Sequence, residues 1–160
     1  MKHYFLLSAL SIVLLFGAVE RPSAAANATP YPGTKVIVTS FTFSQLRNRL
    51  EAAIGKSGMY VVTSASASAG AKRRGIAVPG NLVPDVYRND FAVRMLNAGM
   101  PSSIEAPLRF YVTKKADLTA TLTYRKPSAG FGAYGSANLD KMLAVLGSLA
   151  TAVLGGLLVG

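Results

Sequence analysis

Leu46, Leu50, Ala53 and Ile54 recur at the spacing of one helical face, while Arg47, Arg49 and Glu51 fall off it. This pattern predicts an amphipathic helix lying on an apolar surface. Its start is marked twice: Thr42 and Gln45 have capping-box spacing, and Phe41 and Leu46 stand where a hydrophobic staple closes over the first turn. Gly55 and Gly58 end it. Further along, the period changes to two. Leu108, Phe110 and Val112 alternate with Arg109, Tyr111 and Thr113, and Leu118, Ala120, Leu122 and Tyr124 alternate with Thr119, Thr121 and Thr123. Two such arms predict a hairpin with one dry and one wet face, which belongs to an antiparallel sheet covered by helices on one side rather than to a buried parallel sheet.

Weaker signals fill in the rest. Residues 35–39 and 59–63 are rich in β-branched and aromatic residues and predict strands. Residues 64–71 are almost entirely Ser, Ala and Gly, which suits a bending strand end or a loop, and a turn follows at Pro79-Gly80. Residues 82–87 read as an edge strand, because Pro84 has no N–H to give to a ladder. Asp90 is placed to cap a short helix over 91–98, which Gly99 and Pro101 stop. The class is therefore α+β, a single antiparallel sheet with helices on one face, and there is no internal repeat.

The two ends carry different signals. Lys2 followed by an apolar run over 5–18, with small residues up to Ala28, reads as a signal peptide over 1–28. The run is shorter than the roughly 20 apolar residues of a spanning helix. Residues 29–33 form a short leader with Pro30 and Pro32, and one domain occupies 34–160. Its last part, residues 142–160, has no charge. Two readings stand for it: a terminal helix over about 138–158 packed on the sheet or across a dimer, or a membrane association built on small residues such as Gly147, Ser148, Thr151 and Gly155.

Composition narrows the chemistry. The chain has no Cys and a single His, His3, inside the signal, so a Ser-His or Cys-His nucleophile, a usual zinc site and a thiol redox centre all lack their key side chain. No metal or cofactor is expected. The net charge is +10 and falls only to +9 when the signal leaves with Lys2, Arg21 and Glu20. In an exported protein, periplasmic or secreted, that charge points to small anions, envelope polymers or lipid headgroups rather than to nucleic acid.

Short blocks then bear a resemblance. Residues 71–79, Val86-Tyr87-Arg88-Asn89-Asp90, Ala106-Pro107-Leu108-Arg109 and Thr123-Tyr124-Arg125-Lys126-Pro127 resemble, in order and spacing, the domain of unknown function 302 family over about 35–142. The resemblance implies a TATA-binding-protein-like β-α-β4-α arrangement and a homodimer. It implies no activity. Where many members have Gly-Asn-Pro this chain has Arg88-Asn89-Asp90, and Leu118 stands where a turn glycine is common.

Two clusters are the candidate sites. Arg88, Asn89 and Asp90 gather a cation, an amide and a carboxylate at a strand-to-helix junction, and Arg109 on the wet sheet face is grouped with them as a small-anion site; the bland alternative is simple capping and pairing. Lys72, Arg73 and Arg74 are the densest positive run, suited to an anionic surface or simply to solvent. The six acids beyond the signal are scattered, so a carboxylate or tyrosine enzyme has no positive signature. The expected function is non-catalytic binding of an anionic ligand or envelope partner.

Overall fold

The capping box at Thr42 forms and launches the first helix. In a computed structural model, which describes residues 31–139 and positions 147, 148, 151 and 155, the Thr42 hydroxyl accepts the Gln45 N–H at 3.4 Å while the Gln45 side chain accepts the Thr42 N–H at 2.9 Å. Strand β1 (Thr34–Thr42) leads directly into α1 (Phe43–Lys56), and the residues that α1 buries are Leu46, Leu50, Ala53 and Ile54, as their spacing predicts. After a turn through Gly58 come β2 (Tyr60–Ala65), a short helix α2 (Ala67–Lys72), β3 (Asn81–Tyr87) and α3 (Asn89–Gly99). A 3-10 helix (Met100–Glu105) leads to β4 (Leu108–Lys114) and β5 (Thr119–Arg125), and α4 (Pro127–Phe131) follows.

All neighbours in the five-stranded sheet pair antiparallel, in the order β1-β5-β4-β3-β2. The inward row of the sheet includes Val86, Phe110, Val112, Ala120 and Leu122, which meet the buried side of α1 in one cluster. Burying each large side chain of that cluster contributes roughly 1.5–3 kcal/mol. A second cluster, Phe91, Met95 and Phe131, joins α3 to α4 and packs against Leu108, which also touches the first. Both clusters meet the sheet through that residue's row, so the helices share one face.

Several expectations change. Strand β3 is not an edge: it lies between β2 and β4. Pro84 is accommodated because the ladder to β4 pairs Leu82 with Val112 and resumes only at Asp85 with Arg109. Residues 64–71 are not a loop: β2 runs to Ala65 and α2 follows, capped by Ser66, whose hydroxyl accepts the Ala69 N–H at 3.1 Å. Finally, α3 starts two residues earlier than residue 91, and Asp90 does not cap it, because its carboxylate is engaged by Arg88.

The hairpin forms with its turn at Lys115–Leu118, and Leu118, placed by its spacing in the dry row, instead sits in the turn with a φ of 68° and 62% exposed. The signal region 1–28, the first two residues of the leader and most of the apolar tail lie outside the described residues. Within the tail segment, residues 137–139, 147, 148, 151 and 155 are helical. Among the described residues no helix is long and apolar enough to cross a membrane.

Candidate functional site

Arg88 and Asp90 form a closed unit. The guanidinium gives two parallel hydrogen bonds to the carboxylate, Nε to Oδ1 at 2.7 Å and Nη2 to Oδ2 at 2.8 Å, and its plane lies over the Phe91 ring at 4.0 Å. That donation holds the Asp90 carboxyl below its ordinary value, and the carboxylate in turn raises Arg88. The fork that would grip a ligand carboxylate is therefore occupied by one from its own helix. Asn89, the first residue of α3, is exposed.

Arg109 sits elsewhere. It pairs in register with Asp85 on the open face of the sheet, with its Nε 3.6 Å from Asp85 Oδ1. No hydrogen bond or ion pair joins Arg109 to Arg88, Asn89 or Asp90 among the described residues. The grouping of these four therefore resolves into two separate ion pairs.

The Lys72-Arg73-Arg74 run has the more open setting. Lys72 and Arg73 line a groove of about 900 Å3 between the start of α1, the end of β2, α2 and the segment that returns to β3. No ion pair is formed by Lys72, Arg73 or Arg74 among the described residues. Arg74 lies past the end of α2 and outside the lining. Arg47 of α1 adds a third cation to the groove, tied loosely to Glu51 at 4.0 Å.

The rest of the groove is of two kinds. Its end is a hydrogen-bonded knot: the Asn81 side chain accepts the N–H groups of Ala67 and Ser68 at 2.9 and 3.3 Å, while the hydroxyls of Ser66 and Ser68 donate to the Asn81 carbonyl at 2.7 and 3.3 Å. These hydroxyls are spent on holding α2 against β3. Its wall is apolar, with Phe43 and Leu82 half-buried and Ile76 and Val78 exposed at 48% and 44%. The groove thus sets cations beside open hydrocarbon.

Sequence reading found the cations and missed the wall. Ile76 and Val78 lie in a segment outside any predicted strand or helix, and their two-residue spacing after a basic run was the available signal. Among the described residues no group of three or more His, Asp or Glu comes together that could hold a metal ion.

Comparison with known proteins fits the same fold. The family model for the domain of unknown function DUF302 matches residues 35–154. The chain belongs to the DUF302 family. A solved relative in fold is the crystal structure of an uncharacterised conserved DUF302 protein from Bacillus stearothermophilus, with a TM-score of 0.70 and 18% sequence identity, covering 79% of this chain and 98% of that one. No curated protein matches the chain. The family match spans β1 to β5 and reaches past α4, so both the closed Arg88-Asp90 unit and the basic groove lie inside the DUF302 domain.

Proposed function

We propose that this DUF302 domain is an exported, non-catalytic binding protein whose ligand is an anionic amphiphile held in the groove beside α2. The observation that carries the reading is the meeting, in one groove, of Lys72 and Arg73 without ion-pair partners among the described residues and an exposed apolar wall of Ile76 and Val78. Such a pairing suits a molecule with a charged head and a hydrocarbon body, an anionic envelope lipid or a free long-chain acid. A purely polar anion would leave the wall wet, and a neutral lipid would leave the cations unused. Export rests on the apolar run over 5–18, and the strongly basic balance agrees with an anionic surface as the destination.

Vesicle flotation tests this. Protein is mixed with neutral phosphatidylcholine vesicles and with vesicles containing phosphatidylglycerol, at rising salt. The expected result is binding to the anionic vesicles only, weakening as salt screens the cations. Each cation near a lipid surface is worth about 1 kcal/mol, so Lys72→Ala with Arg73→Ala should weaken binding roughly tenfold or more. Equal binding to both vesicle types, or an unaffected double variant, would contradict the reading.

A homodimer is part of the same proposal. The sheet face opposite the helices has Val38 at 68%, Tyr60 at 68% and Tyr111 at 41% exposure, and a second copy laid on it would cover them.

A further inference from the structure

We propose a second site, independent of the groove: the cleft between the 3-10 helix Met100–Glu105, the start of β4 and the β5–α4 junction takes a small molecule with an oxyanion at one end and an amine at the other. The cleft has a volume of about 310 Å3, near the lower end of the roughly 300–1,000 Å3 of small-molecule sites. Arg109, Arg125 and Lys126 line it together with Glu105, and Leu108 and Phe131 supply apolar lining.

The strand register brings two of the cations face to face. Phe110 pairs with Tyr124, so one step further along the antiparallel ladder Arg109 stands opposite Arg125. Like charges at facing positions of neighbouring strands repel. Little in the protein relieves this. Arg125 and Lys126 are exposed and form no ion pair among the described residues, and Arg109, 69% exposed, has only Asp85 at 3.6 Å. That contact is loose enough that Asp85 Oδ1 is buried without a hydrogen bond. Two guanidinium groups and an ammonium on the lining of one cleft are matched by a phosphate or carboxylate, whose oxygens accept their N–H groups and cancel the repulsion.

Glu105 supplies the opposite charge. Its side chain is half-buried, and one oxygen accepts the Tyr134 hydroxyl at 3.4 Å. The other lies in the space left by a missing side chain: a β-carbon on Gly130 would stand 2.6 Å from Oε2. Despite three cations on the same lining, no cation lies within ion-pair distance of Glu105 among the described residues. Charges of opposite sign that line one small cleft without pairing with each other fit a bipolar ligand better than a simple anion.

Isothermal titration of the purified full chain tests the site with four probes: aminoethyl phosphate against ethyl phosphate, and β-alanine against propionate. The pairs differ in the amine, and the phosphate and carboxylate arms separate the two oxyanion sources. At least one amine-bearing probe should bind saturably, about tenfold or more tighter than its amine-free partner. Arg125→Thr should weaken that binding about tenfold or more while leaving the unliganded melting temperature at low salt unchanged or higher, since a strand-favouring residue replaces one of two facing cations. Glu105→Gln should abolish the preference for the amine and keep the oxyanion affinity. The double variant at Lys72 and Arg73 should bind these probes as the parent does, so failure of the groove proposal leaves this one standing. No saturable binding by any of the four at millimolar concentration, full affinity in Arg125→Thr, or an amine preference surviving in Glu105→Gln would overturn it.

Discussion

Among the described residues, Leu118 is the side-chain-bearing residue held at a positive φ. It turns the β4–β5 hairpin at a φ of 68°, a left-handed conformation that costs a side-chain-bearing residue roughly 1–2 kcal/mol. Its side chain is 62% exposed, so little packing depends on it. Leu118→Gly should therefore stabilise the protein by up to about 1 kcal/mol, the relieved strain being partly offset by the greater freedom of glycine in the unfolded chain. Chemical denaturation reads this directly, and a loss of stability would contradict the strain assigned to this turn. The turn has a second support in Asp117, whose carboxylate accepts the Thr119 hydroxyl at 2.6 Å, the Lys115 ammonium at 2.9 Å and the Thr119 N–H at 3.0 Å, and is held down to about 2. Because the folded value is the lower one, its contribution is present above the ordinary carboxylate range and is lost only as the pH falls toward 2.

At the scale of elements, legibility followed the range of the interaction that builds each one. Helix α1 was readable because Thr42, Gln45 and its apolar face all lie within one stretch of sequence. Helix α2 was not, because its alanines favour a helix while the Ser and Gly between them do not, no large apolar residue marks a buried face, and Asn81 of β3 secures its first turn from another element. The start of α3 was misplaced because Arg88 captures the carboxylate that would have capped it. Pro84 argued for an edge on a sound rule, and only the pairing of β3 on both sides, with its gap in the ladder to β4, shows how an inner strand tolerates it. Asn81→Ala should consequently lower stability by about 1–2 kcal/mol, through two backbone N–H groups left without their acceptor. Amide hydrogen exchange should show protection lost first at residues 67–72 and kept in β4 and β5. Uniform loss across the sheet would mean that α2 does not open separately.

For the whole molecule, the inward row of the sheet and one face of α1 close the core, and the positive charge is left to the surface. The fold class was legible because periods of two and of 3.6 survive in the sequence whatever the partners are. The candidate site was legible only in part. Lys72 and Arg73 announce themselves as a run, whereas the facing of Arg109 and Arg125 exists only once the hairpin register is fixed, and Glu105 joins them from a separate element. Arg88 illustrates the converse, since a cation conspicuous in sequence is already satisfied by its own helix.

On the function proposed above, the groove beside α2 holds an anionic amphiphile. Its most direct test is a nitrogen-15 NMR titration of the purified protein with a short-chain phosphatidylglycerol below its micelle concentration. Saturable shifts are expected, concentrated at residues 64–82 and at the start of α1, with Lys72, Arg73, Ile76 and Val78 among the largest. Shifts confined to other surfaces, or no saturable change, would contradict it.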